Sequence, residues 1–550
     1  MQNDFWKTPQ GSRMMLTLSV GGMFLLIVLA NLSLSRLHGH LAMIPIYDDI
    51  NYMADALVRL RFAAGSGLRS ILVSFIADPP HAPLTTLTAM LGFFLLGPEP
   101  IAAYIANSWV VLLFLVFLTR MSRPLATPLD RSLFVATFLF VPVVQVLVMD
   151  FRPDLPAGLI LGIALYTLCM ADFAAAGWKR TLGLAALCVA ATIAKPSAFV
   201  LVMPALGGTV VILVLRALLF GRPRARAEIT GIARMVAAYA VLMLPFAWIW
   251  GASTYAYVYD VLFTYADVWR SPGGASFHLL YNSTGLGGQL ALGKFFRNGL
   301  ALIIVDVVIF IVRRDRRQRG VLEYYLLVAM LYAAIATSGE KTVYQGSFFY
   351  LPFVIAFAGA SIRLFTFVRD VVGFGWLARA ALVVVLALYV YKMPLASYYY
   401  GATPDAYRLP PVVARITAYL GDVKRANADN PACSGRPLTV VFTDSLPIPT
   451  ELVRFEAAKI GVEVAASTTF MARDLAEMTR NADEGDVVMI ADPSHESVSR
   501  WLPGVADNPK LLAYLQGWGA GARTDVVGED GKPLWLIVNP RCKAPAATGG

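Results

Sequence analysis

Uninterrupted apolar runs of about 14 to 20 residues recur between residues 14 and 396, each close to the roughly 20 residues that carry a helix across a hydrocarbon layer about 30 Å thick. A backbone in lipid must satisfy its own hydrogen bonds, so such segments can be only helices or the strands of a closed barrel. These runs do not alternate apolar and polar positions, which argues for helices. Hydrophobic residues make up 57% of the 550 and charged residues 15%, with a mean hydropathy of +0.62. That balance excludes a soluble enzyme and a disordered chain.

The net charge of +10 does not point to nucleic acid, because the cations sit in short loops between apolar runs rather than along one soluble face. They mark topology instead. Lys7 and Arg13 precede the first run; Arg120, Arg123 and Arg131, then Lys179 and Arg180, then Arg216 to Arg234, Arg313 to Arg319, and Arg363 with Arg369 follow. The positive-inside rule makes all of these cytoplasmic. The spans are then expected near 14–34, 101–118, 132–149, 155–172, 181–194, 197–215, 234–250, 299–312, 321–337, 346–362 and 376–396. Eleven crossings from a cytoplasmic N-terminus put the loops at 35–100, 150–154, 251–298 and 338–345, and everything after 397, on the outer side. The apolar stretch 83–97 reads as a helix lying in or dipping into the outer leaflet. The first span is expected to be retained, since it has no small-residue cleavage site.

These considerations divide the chain into an all-α polytopic membrane domain, 1–396, with an amphipathic first outer loop at 35–100, and a small α/β domain, 397–550. In the tail, β-rich runs at 438–443, 462–467, 486–491 and 534–538 alternate with helical stretches near 450–460, 470–480 and 508–516, which predicts a largely parallel sheet. No glycine-rich phosphate loop and no nucleophile elbow occurs there. An accessory or acceptor-binding domain and a stabilising cap are both open readings. Cys169 and Cys188 fall within spans, whereas Cys433 and Cys542 can pair if the tail faces an oxidising compartment.

Chemistry is expected in the outer loops. Asp48 and Asp49 follow Ile44-Pro45-Ile46-Tyr47 just beyond the first span, where two carboxylates cost desolvation unless they meet water, a cation or a substrate. A solvated helix cap is the plainer alternative. Residues 50–62 carry Ile50, Met53, Leu57 and Leu60 on one face and Asn51, Asp55 and Arg59 on another, the pattern of a helix lying along a membrane surface. Asp78-Pro79-Pro80-His81-Ala82-Pro83-Leu84 closes this loop and presents His81 on a backbone fixed by prolines. Arg152 and Asp154 stand in a very short loop, Lys195 at a hairpin apex, and Glu340 and Lys341 at a later one, followed by Tyr344, Gln345 and Tyr350. Each alone could be an interfacial anchor. Together they place carboxylates and cations in one layer. The tyrosines and Trp269 of the 251–298 loop read mainly as interfacial, and its Gly273-Gly274 and Gly285…Gly287-Gly288 pairs suit a mobile lid.

With Tyr47-Asp48-Asp49, Pro80-His81-Ala82-Pro83-Leu84, Arg152-Pro153-Asp154, Gly183…Thr192-Ile193-Ala194-Lys195-Pro196 and Lys341…Tyr350-Leu351-Pro352 in that order over residues 14–362, the chain resembles the GT-C superfamily of membrane glycosyltransferases. The likeness is to the bacterial branch of protein O-mannosyltransferases and the lipid A aminoarabinose transferase. It implies a sugar donor linked to polyprenyl phosphate, a glycan, lipid or protein acceptor, and membrane lipids as surroundings. It matches Asp48 to the family's catalytic aspartate, with Asp49 where many members carry Glu, and Asp154 to the acidic residue of the second outer loop. His81 matches a family histidine, although Ala82 replaces the proline that often follows it. Lys195 and Lys341 suit the carrier phosphate, with Arg152 and Tyr344 also expected to bind substrate. A divalent cation, Mg2+ or Mn2+, held by Asp48 and Asp154 is a further expectation. The implied reaction is inverting transfer at the outer face of a bacterial inner membrane, with the tail periplasmic. The rival class is a polytopic lipid or solute transporter, and a third is a noncatalytic envelope scaffold; neither related halves nor helices broken at matching depths favour the transporter.

Overall fold

The computed structural model describes residues 9–42, 48–63, 67–220, 224–313, 319–373, 375–391, 411–444, 450–491, 502–519, 523–527 and 533–545. The chain is a multi-pass membrane protein. Among the described residues seven helices are long and apolar enough to cross a bilayer: Arg13–Leu37, Pro100–Met121, Pro196–Phe220, Ala225–Thr264, Lys294–Arg313, Gly320–Thr337 and Ser347–Asp370. A bent pair, Pro128–Phe138 and Pro142–Met149, makes an eighth crossing if counted as one, with 74° between its halves. The bend falls where Val141 is extended ahead of Pro142, as proline demands of the residue before it. The other expected spans coincide with the shorter helices Asp154–Cys169, Trp178–Ala194 and Gly375–Tyr391.

The described residues fall into two compact units. One is drawn from Met1–His40, Pro79–Thr85 and Tyr104–Ala402, the other from Leu41–Asp78, Thr86–Ala103 and Thr403–Gly550.

In the first unit, the helix Asp154–Cys169 is buried along almost its whole length, which explains how 16 residues suffice: it meets other helices rather than lipid. It crosses Ser347–Phe367 so closely that a Cβ on Gly158 would lie 2.4 Å from the Ser347 carbonyl oxygen and one on Gly162 3.1 Å from Pro352 Cα. Small residues at such a crossing let two backbones approach. The Tyr324 hydroxyl ties the two together by donating to the carbonyls of Pro352, at 2.9 Å, and Gly162, at 3.3 Å. Two pairs of opposite charges join membrane spans, as low dielectric favours. Arg216 donates to Glu323 at 2.9 Å and to the Cys169 carbonyl at 2.9 Å. Asp306 accepts from the Tyr325 hydroxyl at 2.8 Å and from Arg363 Nε at 2.9 Å.

The second unit holds a five-stranded sheet of order β2-β1-β3-β5-β4: β1 Leu438–Phe442, β2 Val464–Thr468, β3 Val487–Ala491, β4 Arg523–Val527 and β5 Pro533–Val538. β1 pairs in parallel with β2 and β3, but β5 runs antiparallel to β3 and to β4. The sheet is therefore mixed, with a fifth strand that its polar sequence, Arg-Thr-Asp-Val-Val, concealed. The predicted parallel half corresponds to the βαβ crossovers through the helices Thr450–Lys459 and Leu475–Glu484. Val441, Val488, Ile490, Leu511, Leu515 and Ile537 form its core. Asp486, fully buried, accepts from Arg436 at 2.6 and 2.9 Å, from the Thr439 amide at 2.9 Å and from Arg541 at 3.1 Å. A disulfide joins Cys433 and Cys542.

The amphipathic helix of the first long loop spans Asp48–Val58. Its apolar face, with Ile50, Met53, Ala54 and Leu57 buried, packs on Thr450–Lys459. Arg59, next in the chain, donates to Asp55 at 3.0 Å, to Ser74 Oγ at 3.2 Å and to the carbonyls of Ser74 and Asp78 at 2.8 and 2.6 Å. Its guanidinium also sits 4.8 Å from the Phe75 ring centroid. One side chain thus fastens the helix Leu68–Ala77 to Asp48–Val58.

Candidate active site

The short loop between Met149 and the helix Asp154–Cys169 is fixed from both sides. The Asn107 amide donates to the carbonyls of Leu147 and Asp150, at 3.0 and 3.3 Å. Arg152 Nε lies 3.3 Å from Asp150 Oδ1, and its guanidinium stacks 3.9 Å above the Tyr344 ring. Planar, always-charged arginine is suited to this combined pairing and stacking. Asp154 follows in the first helical turn, where the positive end of the backbone dipole favours a carboxylate.

Lys195 ends the helix Trp178–Ala194 in an extended conformation imposed by Pro196. That turn directs its ammonium to Asp154 Oδ1, 2.7 Å away. Asp154 is 1% exposed, and its second oxygen, Oδ2, accepts no hydrogen bond among the described residues. A buried carboxylate oxygen without a donor is costly to keep, so it is the atom in this group best placed to receive one.

His81 joins the same group. Its Nε2 lies 3.4 Å from Ser197 Oγ and its ring centroid 4.5 Å from that of Tyr257. The neighbouring Pro80 carbonyl accepts from Trp250 Nε1 at 3.0 Å. Burial and, to a lesser extent, the Lys195 charge bring the imidazole pKa down to about 4 against the opposing charge of Asp154. His81 is thus neutral at physiological pH and can offer one donor and one acceptor.

Beside this cluster runs an apolar groove of 430 Å³, lined by Thr192, Ile193, Pro196, Phe199 and Val200 on one wall and by Met243, Phe246, Trp250, Thr254, Tyr255 and Val258 on the other. The second wall repeats every three or four residues, one stripe of the helix Ala225–Tyr259. That period is legible in the sequence, yet the aromatic residues invite the simpler interfacial reading.

The remaining sequence-predicted residues belong to other elements. Lys341 is buried and donates from Nζ to the carbonyls of Ile335 and Ala336, at 2.5 and 3.0 Å, at the end of the helix Arg319–Thr337; desolvation lowers its pKa. Asp48 and Asp49 form the first turn of Asp48–Val58 in the second unit, Asp48 half-buried and Asp49 buried. Tyr47 lies outside the described residues. Gly287 and Gly288 serve close packing: a Cβ on Gly288 would lie 2.1 Å from the Ser283 carbonyl oxygen, and one on Gly287 2.6 Å from the Tyr281 ring.

The fold, a polytopic helical domain whose sequence continues into a small sheet-bearing tail, is shared with solved structures. Among solved structures, the chain is similar to ArnT from Cupriavidus metallidurans in the apo state, at 13% identity, with a TM-score of 0.55 over 94% of this chain and 98% of that one. It is similar also to ArnT bound to undecaprenyl phosphate, at 12% identity and a TM-score of 0.50 over 98% and 100% of the two chains. The archaeal oligosaccharyltransferase AglB from Archaeoglobus fulgidus, in complex with an inhibitory peptide and a dolichol-phosphate, gives 11% identity and a TM-score of 0.51 over 94% of this chain and 74% of its own. No protein-family model matches the sequence, and no curated protein matches it closely enough to count as a relative.

Proposed function

We propose that the protein is an inverting glycosyltransferase that moves a sugar from a polyprenyl-phosphate carrier to an envelope glycan, lipid or protein acceptor. The observation that carries this reading is the juxtaposition of a half-buried cation, Lys195, with an apolar groove of 430 Å³ whose wall includes the adjoining Pro196. A polyprenyl phosphate has these two needs: a long apolar chain and an anionic head. The likeness of fold to ArnT, solved with undecaprenyl phosphate, and to AglB, solved with a dolichol-phosphate, supports the same donor class.

The chemistry requires little acid catalysis, because phosphate is already a good leaving group. Asp48 would accept the proton of an acceptor hydroxyl as its oxygen bonds to the anomeric carbon from the face opposite the phosphate. The bond from that carbon to the phosphate oxygen then breaks, and the carrier phosphate leaves with the electron pair. Lys195, paired with Asp154, would set its positive charge against the departing anion. Arg152 and Lys341 are the further candidates for phosphate, Tyr344 and neutral His81 for sugar hydroxyls, and Asp49 for assisting the base. Asp154 Oδ2 can accept a sugar hydroxyl, or serve as one ligand of a divalent cation, which would add positive charge near the leaving group. We place the reaction at the outer face of a bacterial inner membrane, with the N-terminus cytoplasmic and the tail periplasmic. The Cys433–Cys542 disulfide fits an oxidising compartment.

The test is transfer of a labelled sugar from a panel of polyprenyl-phosphate donors into a membrane extract by purified wild type and by Asp48→Asn. Transfer by the wild type, reduced by about 10²- to 10⁴-fold in a folded Asp48→Asn protein, is expected for loss of a general base. Equal rates in the two would remove Asp48 from that role, and no transfer by either across donors would remove the reaction.

A further inference from the structure

A second pocket of the membrane unit has a different chemistry. It encloses 280 Å³ and is lined by Ser283, Thr284, Gln289, Gly293, Lys294 and Arg297, with Phe296 at its margin. Its wall is built rather than accidental. The Gly288 amide donates to the Tyr281 carbonyl at 2.9 Å, Gln289 Nε2 to the Thr284 carbonyl at 2.8 Å, and the Tyr332 hydroxyl to Ser283 Oγ at 2.8 Å. Gly293, at φ +53°, makes the left-handed turn into the helix Lys294–Arg313.

Lys294 and Arg297 are three residues apart on that helix, so both cations lie on one face. Among the described residues neither has a carboxylate within ion-pair distance. Two like charges so placed repel, and the positive end of the helix backbone adds to them. Topology does not account for them either. The basic cluster that begins at Arg313 stands at the opposite end of this 20-residue apolar span, so the pair at Lys294 and Arg297 runs against the positive-inside pattern. The first turn of a span lies at the depth of lipid headgroups, where phosphate is the abundant anion.

We propose that this pocket binds the phosphate headgroup of an anionic membrane lipid, held by Lys294 and Arg297 with the Thr284 hydroxyl beside them. The inference goes beyond the transfer reaction and stands without it. Lipid binding here would fix the end of Lys294–Arg313 and the segment 283–293 in the bilayer.

Binding can be read by native mass spectrometry of delipidated wild type and a Lys294→Gln/Arg297→Gln double variant titrated with phosphatidylglycerol. Phosphatidylcholine serves as the uncharged headgroup, inorganic phosphate as competitor, and Lys179→Gln/Arg180→Gln as a variant of equal charge with both changes at exposed positions elsewhere. The double variant is expected to bind phosphatidylglycerol about 30-fold more weakly than wild type, roughly five-fold for each interfacial cation. Thr284→Phe, which fills the pocket and keeps both cations, should weaken binding too and guards against misfolding of the first variant. Undiminished binding by both pocket variants would overturn the proposal. So would an equal loss in the Lys179 and Arg180 control, equal affinity for phosphatidylcholine, or equally tight binding of inorganic phosphate alone.

Discussion

Asp154 and Lys195 are 41 residues apart in sequence and 2.7 Å apart in space. A pair of this kind, with Asp154 buried and Lys195 half-buried, adds little net stability, because desolvation consumes most of the attraction. Breaking it is another matter. Asp154→Asn strands the ammonium and should cost about 3 kcal/mol, whereas Asp154→Asn/Lys195→Met, which removes both charges, should recover most of that loss in thermal unfolding. Sugar transfer should not recover. A double variant as active as wild type would make the pair purely architectural. The sequence offers both residues at loop apices but cannot pair them, since nothing in either local pattern encodes which apex approaches which.

Among the elements, the most consequential join is made by Arg59. Four acceptors from two helices and the following turn converge on one guanidinium that is 4% exposed, so Arg59→Met leaves Asp55 and two carbonyls short of donors. The expected cost is about 2–4 kcal/mol, read as faster amide exchange in Leu68–Ala77 while β1 and β3 keep their protection. Uniform loosening of the whole unit would show instead that the helix is not separately fastened. The membrane helices were legible because apolar length is a one-dimensional property: seven of the expected spans coincide with helices long enough to cross, and 132–149 with a bent pair. The brevity of Asp154–Cys169 has a three-dimensional cause, burial against Ser347–Phe367 at Gly158 and Gly162. The amphipathic stripe of Asp48–Val58 was legible too, but a stripe reports only that one face is covered. That the covering includes Thr450–Lys459, nearly 400 residues on, is a property of the fold. Strand β4 was missed because its threonine and aspartate weaken the alternation that betrays a strand.

For the molecule as a whole, the long-range covalent link is the disulfide across 109 residues. Closing so long a loop in the unfolded chain corresponds to about 4–5 kcal/mol in the chain-entropy account. Reducing agent, or Cys433→Ser, should therefore lower the denaturant midpoint of the tail sheet, followed by amide exchange in β1, β3 and β5, and leave the membrane helices unchanged. An unaltered midpoint would show that Arg436 and Arg541 on Asp486 hold that corner without the sulfurs.

The apolar groove carries a different implication. Phe199 and Val200 on one wall and Tyr255 on the other are 45%, 43% and 70% exposed, and both walls belong to helices that cross the bilayer. The groove is thus open to hydrocarbon. A ligand reaches it by sliding within the plane of the membrane, so its effective concentration is molecules per lipid rather than molecules per litre. Detergent tails meet the same opening, and an affinity measured in micelles would fall as detergent is added while the same protein in a bilayer keeps its own.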